Sequence, residues 1–442
     1  MPPNHAPRIA VIGGGPAGLT FASVLLHQLA TAPAVPFTPS ITLFERDTAH
    51  ASRDLGGTLD LHGATGQRAL HFAGLWEKFV KIARYEGQEI KMLDKTGKVW
   101  LTNDEKYGGP PPGVGDEGAS AGGAGPRGSD EDGRPEIDRG ILNSLLIDSL
   151  PESTIQWGKA VTALERSASG THKLTFSDGT SSEFDLVIGG DGAWSKTRHL
   201  LTPIAPYYSG MTMVEVRLSG VDSRIPHIGA LVGQGMLMAF SDNGLNIIVG
   251  QRNFGERVRV YFTLRCAETW QKDSGIDWRS VAAARPGIRA LFADWDRALL
   301  DLLDLCDAPA GEAGIAVRPL YMLPPDDFRW PHSKGVTLIG DAAHLMTPSA
   351  GEGANIAMAD AADLALALVD AFRSPSPTAG EDPLDEAVKA YEEQMFPLAE
   401  ASMKRTLDNM NMFMSADTPD RKLAFMRRVM RIPEEGKPAV ME

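Results

Sequence analysis

The amino-terminal part of the chain alternates between short apolar runs and one helical pattern. Residues Arg8–Ile12 form an apolar, β-branched run that ends at Gly13, which is typical of a buried parallel strand. From Gly18 to Ala30 the apolar residues recur at helical spacing, and Ser40–Arg46 predicts a second strand. Together these segments predict a βαβ unit with a Pro-rich connection.

Beyond this unit the hydrophobic pattern becomes mixed, then strand-rich and finally helical. The predicted strands are Leu174–Phe176, Phe184–Ile188, Thr212–Leu218, a strand-rich stretch over Gly229–Leu264, and Val336–Ile339. The predicted helices are Ile141–Leu150, Asp277–Leu305, Gly353–Phe372 and Leu384–Met414. This order predicts an α/β fold with a Rossmann-like domain, a β-rich domain and a C-terminal helix.

One segment differs from the rest in composition. Tyr107–Pro135 is dominated by Gly, Pro, Ser, Ala and Asp and lacks aliphatic periodicity. Such a segment buries too little apolar area to offset the entropy lost on ordering. We therefore predict a disordered surface insertion, with a substrate lid as the alternative.

Composition and charge narrow the class of protein. The 442 residues suit two or three domains, and 43% hydrophobic with 23% charged residues is typical of a globular protein. A formal net charge of -14 argues against nucleic acid or an anionic membrane as a partner, because both need a basic face. No apolar run reaches the roughly 18 residues of a membrane span, and the first residues do not resemble a secretory signal. A cytoplasmic location is expected.

The chain lacks the residue patterns of several common catalytic sites. Cys266 and Cys306 are expected to be two buried thiols rather than a disulfide, and neither lies in a C-x-x-C or beside a histidine. There is no H-E-x-x-H, no G-x-S-x-G and no paired His/carboxylate ligand set. We therefore assign no metal and no catalytic acid, base or nucleophile.

A glycine-rich turn follows the first predicted strand and opens the first predicted helix. In Gly13-Gly-Gly15-Pro-Ala-Gly18, Gly13 permits a tight turn, Gly15 lets a pyrophosphate approach the backbone, and Gly18 lets helix and strand pack closely. The helix N-terminus would present free N–H donors to the phosphates. Glu45, at the end of the second strand, is placed to accept hydrogen bonds from a ribose. A plain glycine turn is the alternative; strand, helix and Glu45 together favour a dinucleotide site.

Two further turns combine glycine with an acidic residue. Asp191-Gly192 follows an apolar strand, and Gly340-Asp341 follows Val336–Ile339. Asp341 could accept a hydrogen bond from a ribityl hydroxyl. The loop Pro348–Asn355, which includes Gly353, offers backbone N–H groups near a helix N-terminus to an electron-rich ring edge.

With these three turns in this order, the chain resembles the group A, aromatic-hydroxylase-type FAD monooxygenases. The resemblance covers the chain except for the 107–135 insertion and about the last 25 residues. Within that family it is similar to the tetracycline-destructase branch, through Phe44-Glu-Arg-Asp47, Arg53, Gly56-Gly-Thr-Leu-Asp60-Leu-His62 and Gly340–Gly353.

The resemblance implies roles for individual residues. Glu45 and Arg46 would hold the adenosine ribose; Arg53, Asp60 and Arg139 would line the FAD; Asp341 would bind the ribityl-pyrophosphate region, and the Asp191-Gly192 turn would be shared between FAD and the nicotinamide cofactor. Each assignment has a structural alternative. Arg46 and Arg53 could be surface charges, Asp60 and His62 a strand-end pair, and Asp191 a turn residue. His344 is expected to be a structural hydrogen-bonding residue.

The resemblance also implies the chemistry. The protein would bind FAD non-covalently and use NAD(P)H and dioxygen, with oxygen transferred from a flavin C4a-hydroperoxide to a small organic molecule. No second strand–G-x-G-x-x-G–helix unit is present for the nicotinamide cofactor, so the flavin ring would have to move to meet it. The absence of a W-x-W-x-I-P stretch argues against a flavin halogenase.

The strand-rich stretch is expected to cover the flavin and select the substrate. Its Met and Phe residues suggest either an apolar pocket or ordinary sheet core: Met211, Met213, Met236, Met238, Phe240 and Phe262. The Gln, Arg and His that contact the drug in the tetracycline branch correspond, by approximate register, to Glu215, Met236 and Arg259. These differences favour another polycyclic or aromatic substrate from natural-product metabolism over a tetracycline. A flavin-binding protein without turnover is a further alternative.

The domain boundaries follow from these assignments. The FAD-binding domain is expected in three parts, 1–80, 136–205 and 319–372; the segment 81–135 lies on the substrate side, 206–318 forms the substrate-binding domain, and 373–442 is helical. The basic and apolar residues of Met410–Arg431 predict a helix packed on the protein, with a membrane-surface contact as the alternative. A monomer is expected.

Overall fold

The computed structural model describes residues 6–31, 39–49, 56–102, 133–308, 315–373, 382–416 and 419–429. The strands are β1 (Arg8–Ile12), β2 (Ser40–Glu45), β3 (Thr58–Asp60), β4 (Ile90–Asp94), β5 (Val99–Thr102), β6 (Glu136–Asp138), β7 (Ile155–Trp157), β8 (Val161–Arg166), β9 (His172–Phe176), β10 (Ser181–Phe184), β11 (Leu186–Gly189), β12 (Tyr207–Ser219), β13 (Met236–Phe240), β14 (Asn246–Asn253), β15 (Arg257–Arg265), β16 (Ala316–Met322) and β17 (Val336–Leu338). The helices are α1 (Pro16–Thr31), α2 (Arg68–Phe72), α3 (Trp76–Val80), α4 (Arg139–Ile147), α5 (Lys196–Leu201), α6 (Pro226–Val232), α7 (Trp270–Asp273), α8 (Val281–Leu291), α9 (Arg297–Asp304), α10 (Asp341–His344), α11 (Gly353–Arg373), α12 (Pro383–Phe413) and α13 (Pro419–Val429). Apart from its last three residues, the predicted insertion at 107–135 lies outside the described residues.

The chain divides into two units, each with its own sheets. Unit 1 comprises Met1–Ala83, Gly108–Tyr207 and Tyr321–Thr406; unit 2 comprises Arg84–Tyr107, Tyr208–Leu320 and Leu407–Glu442. The α/β fold with a Rossmann-like sheet, a β-rich part and helices near the C-terminus is confirmed. No helix in the described ranges has the length and apolar composition needed to span a membrane.

Unit 1 is built on a parallel sheet whose strand order is β17-β11-β1-β2-β7. The predicted βαβ unit is confirmed, with Ile9 opposite Ile41 on β2 and opposite Leu186 on β11. Parallel strands are buried on both faces. On one face, Ala10 and Ile12 belong to an apolar cluster with the antiparallel sheet β8-β9-β10. On the other, α1 packs against β1.

Unit 2 contains a seven-stranded sheet in the order β16-β12-β15-β14-β13-β4-β5. Because side chains alternate along a strand, its two faces bury different residues. On one face, Val214, Val260 and Leu237 pack with residues of α6, α8 and α9. The other face, called here the methionine face, packs against the end of α12 and against α13 through Met92, Met211, Met238, Phe240, Met410, Phe413, Met414 and Met426. Cys266 is partly exposed, Cys306 is buried, and both are free thiols.

Three predicted elements are wrong in their extent. The run Phe184–Ile188 is split at Asp185, whose carboxylate accepts the Arg8 backbone N–H at 2.8 Å, so that β10 and β11 belong to different sheets. The stretch from Gly229 begins with helix α6 rather than a strand. The helix over Asp277–Leu305 is two helices, because Asp296 caps α9 by accepting the Ala298 N–H at 2.9 Å.

The long helix α12 is fixed to unit 1 through a buried carboxylate. Glu392 accepts hydrogen bonds from Trp330 Nε1 at 3.1 Å and Thr337 Oγ1 at 2.8 Å, and it pairs with His332 Nδ1 at 2.7 Å. His332 Nε2 lies 3.2 Å from Asp385. Tyr391 donates to the carbonyl of Leu338 at 3.0 Å. These contacts fix the strand that leads to the Gly340-Asp341 turn.

We expect the contribution of His332 to stability to depend on pH. Burial alone would lower the pKa of its imidazole, but the contacts with Glu392 and Asp385 outweigh burial and raise that pKa above 6.5. A raised pKa in the folded state means that the stabilisation is fully present below the unfolded-state pKa and is lost as pH rises through the folded-state pKa. His332→Asn should therefore lower the Tm by a few degrees at pH about 6 and by less at pH about 9.

Thermal unfolding of both proteins across this pH range measures the effect. His227→Asn, which replaces an exposed histidine on α6, is the control. A Tm difference for His332→Asn that stays constant, or grows with pH, would contradict the assigned role.

Candidate cofactor and substrate sites

The three predicted turns follow neighbouring strands of the unit 1 sheet. The glycine loop (Gly13–Gly18) follows β1, the Asp-Gly turn (Asp191-Gly192) follows β11, and the Gly-Asp turn (Gly340-Asp341) follows β17. Since β17, β11 and β1 are adjacent and parallel, their carboxyl ends lie at the same edge of the sheet. Ligands bind at this edge in open α/β sheets.

The glycines of the glycine loop differ in their surroundings: Gly13 and Gly18 are closely packed, whereas Gly15 faces open space. A Cβ at Gly13, where φ is +103°, would lie 2.3 Å from the carbonyl oxygen of Gly190, and one at Gly18 would lie 2.1 Å from the oxygen of Gly13. A Cβ at Gly15 would meet no described atom within 4 Å. Gly15 therefore leaves space beside the N-terminus of α1, where an anion is favoured.

Glu45 lies next to this loop and is buried. Its carboxylate accepts the N–H of Gly14 at 2.7 Å and the N–H of Asp47 at 3.0 Å. A carboxylate has further lone pairs, so a ribose contact stays a prediction. Arg46 is exposed, which leaves its predicted role open, and Arg53 lies outside the described residues.

The carboxylate of Asp191 caps the short helix α5. It accepts hydrogen bonds from Ser195 Oγ at 2.6 Å and from the backbone N–H of Lys196 at 2.8 Å. This local role agrees with the alternative that Asp191 is a turn residue. A direct contact between Asp191 and a cofactor stays a prediction.

Arg198, which is not among the predicted site residues, connects the Asp-Gly turn to the Gly-Asp turn. Its fully buried guanidinium donates to the carbonyl oxygens of Ala342 at 2.9 Å and Ala193 at 2.5 Å. Burial lowers the pKa of Arg198, and the nearby carboxylates of Asp191 and Asp341 oppose this shift. The sequence feature that could have indicated Arg198 is its position, seven residues after Asp191 on the helix that follows the turn.

At the Gly-Asp turn two helices meet. A Cβ at Gly340 would lie 3.0 Å from the Cβ of Ala17 on α1 and 3.1 Å from the Cβ of Ala357 on α11. The glycine loop and the Gly-Asp turn are therefore direct neighbours, and the carboxylate of Asp341 is exposed beside them.

His344 and Asp360 form a buried pair behind the Gly-Asp turn. Asp360 interacts with His344 Nε2 and also accepts the N–H of Gly340 at 3.3 Å. Burial alone would lower the pKa of His344, but the Asp360 carboxylate outweighs burial and raises it. The pair holds Gly340 in place, in agreement with the expected structural role of His344.

The start of α11 is tied to the segment that follows β3. Asn355 accepts the N–H of His62 at 2.8 Å and donates to the carbonyl of Asp60 at 2.8 Å. His62 Nε2 lies 2.9 Å from Asp60, so these two residues do form a pair at the strand end. Gly353 is partly exposed at the N-terminus of α11. Cofactor contacts by Asp60, Gly353 and Asn355 stay predictions.

Arg139 provides a candidate donor for an anionic ligand. Its Nε is buried and has no hydrogen-bond partner among the described residues, while its backbone N–H donates to Gly57. A buried unpaired N–H is unfavourable unless a ligand or water completes it. The open Gly15, the N-terminus of α1 and Arg139 are all in unit 1, and they fit a cofactor with a pyrophosphate.

In unit 2, the four predicted substrate contacts lie on the methionine face. Met236 and Phe240 are two strand repeats apart on β13, and Glu215 and Arg259 share the same face of β12 and β15. Phe240 is fully buried, with Lys422 Nζ 5.1 Å from its ring centroid, whereas Met236 is partly exposed. Phe262 points to the opposite face, where it packs against Phe292, so it cannot line the same surface. Substrate contacts by these residues stay predictions.

Glu215 itself is surrounded by arginines. Its buried carboxylate pairs with Arg259 Nη1, with Arg217 Nη2 at 3.3 Å and with Arg318 Nε at 3.1 Å. We call Arg217, Arg259 and Arg318 the arginine cluster. Arg217 and Arg318 could not be predicted at this site from the sequence, because the three arginines come from three different strands.

Comparison with known proteins identifies the class. A family profile described as FAD binding domain matches residues 329–406. The chain is 35% identical to Monooxygenase penA of Penicillium thymicola, over 91% of this chain and 94% of that one. It is 28% identical to 3-amino-4-hydroxybenzoate 2-monooxygenase PtmB3 of Streptomyces platensis, over 95% and 92%. The solved structure of tetracycline destructase Tet(55) has a TM-score of 0.67 at 19% identity, over 97% of this chain and 96% of that one, and so shares the fold.

The chain therefore belongs to the FAD-dependent monooxygenases of the aromatic-hydroxylase type. It is an oxidoreductase, and the matched domain supports FAD as its cofactor. The family resemblance predicted from the three turns is confirmed.

The different surroundings of Gly13 and Gly15 generate a test of the cofactor site. We expect Gly15→Ala to leave the Tm of the FAD-free protein within about 2 °C, because the added methyl group meets open space, and to weaken FAD binding about tenfold or more. Gly13→Ala should instead impair folding, because of the close Gly190 oxygen and the positive φ. Fluorescence titration with FAD and thermal unfolding measure the two effects. Unchanged FAD affinity in Gly15→Ala would place the pyrophosphate elsewhere.

Arg198 generates a second test. Arg198→Met removes the donors to Ala193 and Ala342 and leaves buried carbonyl groups unpaired, so we expect about 3 kcal/mol less stability in urea unfolding. Arg279→Met, which removes an exposed arginine, should change stability by less than about 0.5 kcal/mol. Equal effects of the two substitutions would show that Arg198 does not link the turns.

Proposed function

We propose that the protein uses NAD(P)H and dioxygen to hydroxylate or epoxidise a polycyclic or aromatic small molecule, with FAD bound non-covalently in unit 1. The observation that carries this proposal is the contact of Gly340 with Ala17 and Ala357, which brings the glycine loop and the Gly-Asp turn together. When bound, FAD supplies the reaction with dioxygen, and the protein supplies binding, orientation and exclusion of water.

Different residues of unit 1 would bind different parts of FAD. The open backbone at Gly15 and the N-terminus of α1 would hold the pyrophosphate. The unpaired Nε–H of Arg139 would donate a hydrogen bond to the cofactor. The carboxylate of Asp341 would accept a hydrogen bond from a hydroxyl of the ribityl chain. Glu45, whose carboxylate is held by the N–H of Gly14, would accept a hydrogen bond from the adenosine ribose. Arg46 and Arg53 would add positive charge there.

The flavin ring would be held by the turns around the Pro348–Asn355 loop. Glu352 in this loop accepts Ser402 Oγ at 2.5 Å and Arg405 Nη2 at 2.7 Å, both from α12. Asn355 ties the other end of the loop to Asp60. These contacts would keep the loop N–H groups in position for the ring, and the Asp191-Gly192 turn would serve both cofactors.

An aromatic substrate is supported by the names of the relatives. PtmB3 is named for action on 3-amino-4-hydroxybenzoate, and a further relative is named salicylate hydroxylase. In unit 2, partly exposed apolar side chains on the methionine face, including Met213 and Met236, offer a surface for an aromatic ring. The bacterial and fungal relatives act as monooxygenases, which suits a role in natural-product metabolism.

The proposal is tested by purifying the protein and recording its absorption spectrum. We expect a yellow protein with flavin absorption, or a colourless one that becomes yellow on addition of FAD. Oxidation of NADPH or NADH should accelerate with a member of a panel of polycyclic and hydroxylated aromatic compounds, tetracycline included. With ¹⁸O₂, one labelled oxygen atom should enter the product, as detected by mass spectrometry.

Two outcomes would defeat the proposal. A colourless protein that cannot be reconstituted with FAD would exclude the cofactor. Nicotinamide oxidation that yields only hydrogen peroxide with every compound would indicate an oxidase rather than a monooxygenase. The Gly15→Ala protein is the control, because it should lose activity in proportion to its FAD content.

A further inference from the structure

Two buried polar side chains of unit 1 have no hydrogen-bond partner in the described part of the chain. Thr20 on α1 is 0% exposed and Asn143 on α4 is 1% exposed. The hydroxyl of Thr20 and both the oxygen and the nitrogen of the Asn143 amide are unpaired there. Buried polar groups are nearly always completed by the protein or by ordered water, so these three atoms require an explanation.

The helices α1 and α4 pack side by side and run in the same direction. α1 leads into β2, and α4 leads through a short turn into β7, and these two strands are parallel neighbours. Since each helix precedes a strand of this pair, both helices run opposite to the strands. The helices meet at Ser23, whose Oγ lies 2.9 Å from Ser149 Oγ and 3.4 Å from the carbonyl oxygen of Leu146.

The unpaired atoms belong one helical turn before this contact on both helices. Thr20 is three residues before Ser23, and Asn143 is three residues before Leu146. Residues three apart share a helix face, so the same step along two parallel helices brings Thr20 and Asn143 to one level of the interface. Within the described residues neither side chain bonds to the other. A hydroxyl and an amide offer both donors and acceptors, which suits a water molecule between them.

This level of the interface lies close to the two groups assigned to the cofactor. Thr20 is five residues after Gly15, in the first turns of α1. Asn143 is four residues after Arg139, which is the first residue of α4 and shares a helix face with Asn143. The spacing of α1 and α4 at this level therefore sets the distance between Gly15 and Arg139.

We propose that Thr20 and Asn143 form a buried site for ordered water, which links α1 to α4 and holds Gly15 and Arg139 at the distance that the cofactor requires. The water is shared between Thr20 Oγ1 and one end of the Asn143 amide. Thr20 and Asn143 are positioning residues, because they act on the cofactor only through their helices. The positioning role rests on the proposed function, whereas the water site does not.

A crystal structure of the FAD-loaded protein, at a resolution that shows ordered water, tests the site directly. We expect a water molecule within hydrogen-bonding distance of both Thr20 Oγ1 and the Asn143 amide. A direct hydrogen bond between the two side chains, or a dry interface in which Asn143 finds another partner, would overturn the proposal.

Thermal unfolding of the full chain without FAD tests the link between the two side chains. Thr20→Val and Asn143→Leu should each lower the Tm by a few degrees, because each leaves the water and the other side chain short of a partner. The double substitution removes both polar groups together, so its loss of Tm should be smaller than the sum of the two. Thr20→Ser keeps the hydroxyl and should retain the Tm within about 2 °C. Additive losses would overturn the shared water.

Fluorescence titration with FAD tests the positioning role. Thr20→Val and Asn143→Leu should each weaken FAD binding about fivefold or more, and Thr20→Ser should leave it unchanged. The control is Leu174→Ala, which removes a buried side chain of β9 on the other face of the parallel sheet. It should lower the Tm at least as much and change FAD affinity less than about twofold.

The outcomes separate this inference from the proposed function. Equal losses of FAD affinity in Asn143→Leu and Leu174→Ala would show general destabilisation and overturn the positioning role, as would unchanged affinity in both single variants. Failure of the unsubstituted protein to bind FAD would defeat the proposed function. The Tm measurements and a crystal structure without FAD would still decide whether the water is present.

Discussion

The close approach at Gly340 is the constraint on which the cofactor site depends. The methyl groups of Ala17 and Ala357 would lie 3.0 and 3.1 Å from a Cβ at this position, so any larger residue would force α1 and α11 apart. Since α1 opens at the glycine loop and α11 opens beside the Pro348–Asn355 loop, separating these helices would move two binding loops away from each other. The parallel register of β17, β11 and β1 brings the turns to one edge, and the small residues set their distance.

Buried charges then hold the turns in a fixed arrangement. Arg198 donates to backbone carbonyls on two turns, and Asp360 accepts from Gly340 while it pairs with His344. Replacing all members of a buried polar pair together by well-packed apolar residues often does not reduce stability, although removing one member alone does, so stability alone does not account for such pairs. Their hydrogen bonds are directional, and they fix the position of the backbone more narrowly than apolar contacts do. A site that must hold a rigid ring and its phosphates gains from this restriction.

The sequence predicted the parts of this arrangement that depend on local pattern. The βαβ unit, the three turns and the helices α11 and α12 follow from spacing and from the glycines and acids at strand ends. What could not be predicted arises from contacts between distant residues. Asp185 separates two strands within one apolar run because it binds Arg8, and Arg217 and Arg318 meet Glu215 because β16, β12 and β15 are neighbours. Neither pairing can be inferred from the spacing of nearby residues in the sequence.

The arginine cluster also shows why net charge predicts partners poorly at short range. With a net charge of -14, the protein repels anions at long distance, but salt screens this repulsion beyond about 8 Å at physiological ionic strength. Inside the cluster three guanidinium groups contact the buried carboxylate of Glu215 over a few ångströms on a partly dry sheet face, where charges interact much more strongly than in water. Adding salt therefore weakens the long-range repulsion of an anion more than it weakens the contacts within the cluster. The net charge therefore governs encounter at long range and not the contacts that a particular sheet face makes.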